Sequence, residues 1–130
     1  MASSANKPIV LVVNDQKLVV STLVTLLREQ GYEAVGSTTC AAAVQQSAIL
    51  QPDLALIDII VGDGNGVDAA AEIRKRVPDY QILLMSGRPE AEEILERAQA
   101  KGQSFDVLAK PIPPAKLLQI LGDRLRGQAA

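Results

Sequence analysis

The 130-residue sequence contains no histidine, no tryptophan and a single cysteine. Without histidine, the chain itself cannot supply a histidine general acid or base, a histidine-ligated zinc site or a phosphohistidine relay. One cysteine permits neither an internal disulfide nor a CxxC motif. Aromatic residues make up 2%, and 13 basic residues stand against 15 acidic ones. Neither a basic nucleic-acid surface nor a base-stacking platform is therefore expected, and specific DNA binding by this chain alone is not predicted.

The sequence also lacks a long apolar run near its N-terminus. The run Ile9–Val13 follows Lys7 and Pro8 and stops at Asn14, which is too short for a secretory signal or a membrane span. We therefore expect a cytoplasmic protein. The length and the 48% hydrophobic content suit one domain with one core, expected at residues 8–127 between tails at 1–7 and 128–130.

Five short apolar runs alternate with five helical patterns along the chain. The predicted strands are Ile9–Val13, Ala34–Gly36, Leu54–Ile57, Gln81–Met85 and Phe105–Ala109. The predicted helices are Leu18–Gln30, Cys40–Leu50, Val67–Arg76, a segment from about Ala91 to Lys101, and a last one ending near Gly127. Strands that are apolar on both faces indicate a parallel sheet covered by helices on both sides. We predict an α/β fold with a doubly wound five-stranded sheet of flavodoxin-like order 2-1-3-4-5.

Polar residues stand at the carboxyl ends of four predicted strands, which is the edge where open α/β sheets bind ligands. They are Asn14 and Asp15 after the first strand, Asp58 after the third, Ser86 after the fourth and Lys110 after the fifth. In the predicted order the first and third strands are neighbours, about 4.8 Å apart. Asp15 and Asp58 are therefore expected to face one crevice.

Several of these residues also permit a purely structural interpretation. Asp15 could cap the first helix, Ser86 could serve a turn, and Lys110 could be a solvated lysine at a strand end. Asp58 is harder to explain in this way, because it interrupts the apolar run 54–61, where an unpaired carboxylate costs several kcal/mol. Together, two carboxylates suited to a cation, a hydroxyl donor and an ammonium group favour a binding site.

Four segments of the chain resemble the signature blocks of response-regulator receiver domains of two-component signalling, here of the single-domain type. They are VLVVND (Val10–Asp15), LALIDIIVGDGNG (Leu54–Gly66), ILLMSG (Ile82–Gly87) and LAKPI (Leu108–Ile112). The resemblance extends over nearly the whole chain, in the family's order and spacing. It implies a phosphorylation switch that acts through a protein partner rather than an ordinary enzyme.

The resemblance also implies a role for each polar residue. Asp58 would accept a phosphoryl group from the phosphohistidine of a sensor histidine kinase or phosphotransfer protein. Ser86 would bind the phosphoryl oxygens, and Lys110 would pair first with the acceptor and then with the phosphoryl group. The bond from Lys110 to Pro111 is usually cis in the family.

The same resemblance implies a Mg²⁺ ion as cofactor. Its ligands would be Asp15, Asp58 and the backbone carbonyl of Ile60, with Asn14 contributing only indirectly. Self-catalysed loss of the phosphoryl group is expected to be slow, because neither Ile60 nor Arg88 is a carboxylate or amide that could orient an attacking water.

Three residues depart from the family's pattern. Asn14 stands where the family usually has an acid, and Gly62 stands where many members have proline. Val107 replaces the usual aromatic switch residue, and Phe105 is not expected to substitute for it. The downstream partner is expected to bind helix four, strand five and helix five, including Ile94–Lys101 and Val107.

Two alternative classes of function remain open, an interaction module and an enzyme. A pseudo-receiver would keep the fold and work unphosphorylated, which Asn14 and Val107 favour and Asp58, Ser86 and Lys110 oppose. An aspartate-nucleophile phosphatase would require a DxD pattern, and a flavin protein would require a Ser/Thr-rich phosphate loop after the first strand. The glycine-rich stretch at 62–66 is expected to form only a turn before the third helix.

Overall fold

The computed structural model describes residues 7–76 and 81–129. Five parallel strands form one sheet in the order β2-β1-β3-β4-β5, which confirms the predicted order. The strands are β1 (Ile9–Val13), β2 (Glu33–Ser37), β3 (Leu54–Asp58), β4 (Gln81–Ser86) and β5 (Asp106–Ala109). The helices are α1 (Lys17–Glu29), α2 (Cys40–Leu50), α3 (Gly66–Arg76), α4 (Glu90–Ala100) and α5 (Pro114–Ala129).

The central strands are apolar on both faces because helices cover both sides of the sheet. Alternate residues of β1 and β3 belong to two separate core clusters, with Leu11 and Ile57 in one and Val12 and Leu56 in the other. The first cluster packs against α2, α3 and α4, and the second packs against α1 and α5. Each fully buried aliphatic side chain contributes about 1.5–3 kcal/mol to folding. All five residues of β3 are buried, and this sets the surroundings of Asp58.

A small hairpin follows β3, where the sequence indicated only a turn. Ile60–Val61 pairs antiparallel with Gly64–Asn65, and we call these two pairs and the turn between them the loop hairpin. The carboxylate of Asp63, at its tip, accepts hydrogen bonds from the backbone N–H groups of Cys40 (2.7 Å) and Ala41 (3.2 Å). These bonds attach the loop hairpin to the first turn of α2.

The ends of the other described elements lie close to the predicted ones, and the largest difference is at α5. This helix continues to Ala129, beyond the predicted end near Gly127 and into the predicted tail at 128–130. Glutamine and alanine are good helix formers, so a single glycine before them does not end the helix. The predicted N-terminal tail lies outside the described residues, apart from Lys7. No helix in ranges 7–76 and 81–129 is long and apolar enough to cross a membrane.

The start of α3 requires a glycine at position 66. A Cβ atom there would overlap the backbone oxygen of Asp58, and it would lie 2.7 Å from Cγ2 of Ile57. The backbone N–H of Gly66 also donates to the oxygen of Ile59 at 2.7 Å. Helix α3 therefore packs directly against the end of β3.

We expect Gly66→Ala to lower the free energy of unfolding by about 2–3 kcal/mol, because overpacking a filled core typically costs ~1–3 kcal/mol. Urea unfolding at equilibrium measures this change. Gly64→Ala is the matched control, since a Cβ at Gly64 would meet only Sγ of Cys40, at an ordinary 3.9 Å. Equal stability of the two variants would contradict this account of the packing.

Candidate functional site

The carboxyl edge of the sheet holds a pocket of about 300 Å³. Its wall is formed by Asn14, Asp15, Gln16, Val19, Asp58, Gly87, Arg88, Lys110 and Pro111. The structure thus brings together Asp15 and Asp58, which the strand order placed in one crevice, and adds Asn14 and Lys110 beside them. Apart from Val19 in α1, the wall residues follow or end β1, β3, β4 and β5, the positions at which parallel sheets expose polar groups.

Asp58 is only 8% exposed, and one of its two oxygens is firmly held. Its Oδ2 accepts a hydrogen bond from Nζ of Lys110 at 2.7 Å and another from Nδ2 of Asn14 at 3.0 Å. These two donors offset the cost of burying the carboxylate. No group in the described part of the chain donates to Oδ1, so this oxygen is available to a ligand.

Asn14 is the residue that changes the charge of this pocket relative to the expected pattern. It is 2% exposed, and its Oδ1 accepts the backbone N–H of Gln16 at 2.9 Å while its Nδ2 donates to Asp58. An aspartate at position 14 could not make the second bond and would instead set a carboxylate against Asp58. Asn14 therefore helps to hold the buried carboxylate of Asp58 in place.

Asp15 lines the pocket and does not cap α1. The helix begins after Gln16, whose side chain makes no capping bond, and the first turn of α1 contains no acidic residue. The helix-capping interpretation of Asp15 is therefore wrong. Across the pocket, a Cβ at Gly62 would lie 3.9 Å from Oδ2 of Asp15, so the loop hairpin closely approaches this carboxylate.

The position of Lys110 depends on Gly87. A Cβ at Gly87 would lie 3.0 Å from Cδ and 3.2 Å from Cβ of Lys110, so the stem of the lysine lies directly on the glycine backbone. The backbone N–H of Lys110 donates to the oxygen of Ser86 at 2.8 Å, and the Lys110–Pro111 bond is cis. The contact of the lysine stem with Gly87 and the bond from its N–H to Ser86 aim the ammonium group at Asp58.

Ser86 and Ile60 lie beside the pocket but do not form its wall. Ser86 ends β4 opposite Ala109 of β5, and its side chain is partly buried. Ile60 pairs with Asn65 in the loop hairpin and packs against the first core cluster. Their assignment to the site remains a prediction.

Val107, which stands at the family's switch position, lies on β5, and Phe105 lies immediately before that strand. Val107 pairs with Leu84 and is 38% exposed. The guanidinium of Arg74 lies 4.3 Å from the centre of the Phe105 ring and also donates to the oxygen of Ser104 at 2.8 Å. Phe105 is therefore held against α3, two residues before Val107, and does not occupy the switch position.

The hydrogen bond between Asp63 and α2 was not predicted from the sequence, because no local pattern indicates a partner 23 positions away. The backbone N–H groups of Cys40 and Ala41 hold the pKa of Asp63 below its usual value. Burial, with the nearby charge of Asp63, raises the pKa of the Cys40 thiol to about 11. This thiol is protonated at neutral pH, which argues against a nucleophilic role.

The pocket has the chemistry of a modest Mg²⁺ site. Mg²⁺ takes oxygen ligands and is often held by one or two carboxylates together with water. Asp15 and Asp58 line the same pocket, and Oδ1 of Asp58 is available. Within the described ranges there is no group of three or more His, Cys, Asp or Glu side chains that could hold a metal ion. Asp15 and Asp58 are the two carboxylates of the described pocket wall, and their oxygen donors are of the kind that Mg²⁺ prefers.

The sheet order and the pair of carboxylates at its carboxyl edge are those of a two-component signalling domain. Residues 10–122 match the family model described as the response regulator receiver domain. The chain belongs to this family.

Known proteins agree with this assignment. The chain is 30% identical over 113 residues to the chemotaxis protein CheY of Thermotoga maritima, covering 86% of this chain and 92% of that protein. It is 32% identical over 111 residues to the transcriptional regulatory protein PdtaR of Mycobacterium tuberculosis, covering 84% of this chain but only 52% of PdtaR. Among the curated relatives, the chain thus spans nearly all of CheY and about half of PdtaR.

Solved structures show the same fold. A two-component response regulator from Clostridium difficile superposes with a TM-score of 0.81 at 25% identity, covering 95% of this chain and 100% of that chain. A CheY-like receiver domain protein from Methanospirillum hungatei gives a TM-score of 0.82 at 21% identity, with coverages of 95% and 98%.

We expect Asn14→Asp to have opposite effects on metal affinity and on metal-free stability. A carboxylate about 6 Å from Mg²⁺ adds roughly 1–5 kcal/mol of attraction, so affinity should rise at least about tenfold. Without metal the variant should lose about 1.5–3 kcal/mol of stability, because a hydrogen bond to a charged group is replaced by repulsion.

Isothermal titration with Mg²⁺ and urea unfolding in EDTA measure the two effects. Gln99→Glu adds the same charge on the exposed face of α4 and should change neither quantity. An unchanged Mg²⁺ affinity in Asn14→Asp would refute the proposed electrostatic role of position 14.

Proposed function

We propose that this chain is a phosphorylation-dependent switch in which Asp58 accepts a phosphoryl group from a histidine kinase or phosphotransfer protein. The observation that carries the proposal is a buried carboxylate with one oxygen held by Lys110 and Asn14 and the other available, at the edge of the sheet where ligands bind. Membership of the receiver family supports it, since receiver domains are phosphoacceptor signalling domains rather than ordinary enzymes.

The reaction is an in-line transfer in which positioning and charge neutralisation do most of the work. An oxygen of Asp58 forms a bond to phosphorus as the bond from phosphorus to the donor's imidazole nitrogen breaks. The nitrogen keeps the electron pair, and the product on Asp58 is an acyl phosphate. Because Oδ2 is held by two donors, Oδ1 is the proposed nucleophile.

The neighbouring residues stabilise the charge on the phosphoryl group. Lys110 leaves Oδ2 to pair with the phosphoryl oxygens, and Ser86 donates its hydroxyl to them. Asp15, Asp58 and the backbone carbonyl of Ile60 would hold Mg²⁺, which when bound neutralises charge on the transferring group. Asn14 acts indirectly, by orienting Asp58.

The competing function is a pseudo-receiver that works unphosphorylated. Asn14 and Val107 favour it, because both depart from the family's usual residues. The retention of Asp58 with Lys110 as its partner weighs against it, since a domain without phosphoryl transfer has no need of a buried carboxylate at this position. Both functions share the fold, so only a chemical test separates them.

We place the surface for the downstream protein partner on α4, β5 and α5, in a cytoplasmic setting. Val107 is exposed there. The acidic helix α4 contains all of the predicted segment Ile94–Lys101 except Lys101, which follows the helix. A groove of about 220 Å³ with Leu108, Ile112 and Ile120 in its wall lies between β5 and α5. This groove and the exposed Val107 support protein binding at β5 and α5.

We expect Asp58→Asn to abolish phosphorylation. The protein is incubated with Mg²⁺ and acetyl phosphate, and intact mass spectrometry measures the fraction that carries one phosphoryl group. Asp123→Asn, an exposed acid on α5, is the matched control and should label like the unaltered protein. Labelling that persists in Asp58→Asn would end the proposal, and an unaltered protein that never labels would favour the pseudo-receiver.

We expect the acyl phosphate to decay slowly and Ile60→Asn to speed its loss about tenfold, or ~1.4 kcal/mol in barrier. Ile60 is partly buried and offers no group that orients water, whereas an asparagine side chain would. The loss of phosphate from labelled protein is followed over time by intact mass. Ile49→Asn, on the exposed face of α2, controls for the polar change. Equal or slower decay in Ile60→Asn would show that this residue does not control hydrolysis.

A further inference from the structure

Two cationic residues stand in the wall of the Asp58 pocket, and only one of them is engaged. Lys110 is bound to Asp58 at 2.7 Å. Arg88 follows Gly87 at the end of β4, is exposed, and its side chain forms no hydrogen bond or ion pair with the residues that the structure describes. Among the described residues, the guanidinium group of Arg88 at the rim of this pocket therefore has no partner that would explain its position.

The charge of the pocket indicates what Arg88 could bind. The wall holds two carboxylates, Asp15 and Asp58, and two cations, Lys110 and Arg88, so its formal charge is zero without a metal. An acid in place of Asn14 would make it negative. Conversion of Asp58 to an acyl phosphate adds about one negative charge. The pocket can therefore take up a phosphate group with less repulsion than a three-acid pocket.

We propose that Arg88 is a second phosphoryl-binding residue, which holds the phosphate of the donor before transfer and the phosphoryl group on Asp58 afterwards. This deepens the proposed function and rests on it. Arginine suits this role because its planar fork donates two parallel hydrogen bonds to phosphate oxygens. During transfer the bond from Asp58 to phosphorus forms, the donor leaves with its electron pair, and Arg88 stays protonated throughout.

The first test compares Arg88→Gln, Arg88→Lys and Arg97→Gln. Arg97 pairs with Glu93 on the exposed face of α4, so its replacement removes the same charge without touching the pocket. At subsaturating acetyl phosphate and constant ionic strength, Arg88→Gln should label about tenfold more slowly. Arg88→Lys should fall between, and Arg97→Gln should match the unaltered protein. Equal rates for Arg88→Gln and Arg97→Gln would overturn the proposal.

The second test does not depend on phosphoryl transfer. Asp58→Asn cannot react, so inorganic phosphate is titrated into this variant and followed by amide NMR shifts of Gly87 and Lys110. Adding Arg88→Gln should weaken phosphate binding about tenfold, while adding Arg97→Gln should leave it unchanged. Equal affinities, or no phosphate-dependent shifts, would overturn the role of Arg88. If the unaltered protein never labels but Arg88 still governs phosphate binding, the proposed function fails and only the phosphate-binding role of Arg88 stands.

Discussion

The ion pair between Lys110 and Asp58 is the contact on which the arrangement of this edge of the sheet depends. Asp58 ends a strand that is buried along its whole length, so its charge requires a partner inside the protein. Lys110 reaches it from the end of β5, across β4, at 2.7 Å. That reach is possible because Gly87 has no side chain, and Gly66 likewise lets α3 pack against the backbone of Asp58. The packing around Asp58 thus depends jointly on Gly66, Gly87 and the ion pair with Lys110.

Asn14 changes how the pocket around this ion pair is expected to respond to a metal. In a pocket with three acids, the carboxylates repel one another until a cation arrives. Here the amide of Asn14 donates to Asp58 and so replaces a repulsion with a hydrogen bond. In the metal-free pocket, Oδ2 of Asp58 therefore already has two hydrogen-bond donors. We expect the binding free energy of a divalent cation to be less favourable as a result. An uncharged residue at position 14 also reduces repulsion of an incoming anion, so we expect this one side chain both to weaken metal binding and to ease phosphate binding.

The fold and most of the pocket could be predicted from the sequence because both depend on strong, repeated signals. Continuous apolar runs identified buried parallel strands, and the strand order then placed Asp15 beside Asp58. The loop hairpin could not be predicted, since strands of two residues have no recognisable pattern and the backbone groups that Asp63 binds lie in α2, far away in the sequence. That Asn14 would bond Asp58 also depends on side-chain geometry, which spacing along the chain does not encode.

The contacts around Asp58 also determine where a change at this residue would be felt. On one side the loop hairpin is tied to α2 by Asp63, and this anchor does not involve the carboxylate of Asp58. On the other side, Lys110 lies on Gly87 and its N–H bonds the oxygen of Ser86. If Lys110 leaves Oδ2 for a phosphoryl oxygen, as the proposed function requires, the backbone at the ends of β4 and β5 is what its stem and its N–H contact. Because Val107 offers no aromatic ring at the switch position, we expect these backbone contacts to carry the change toward the segments that begin α4 and α5.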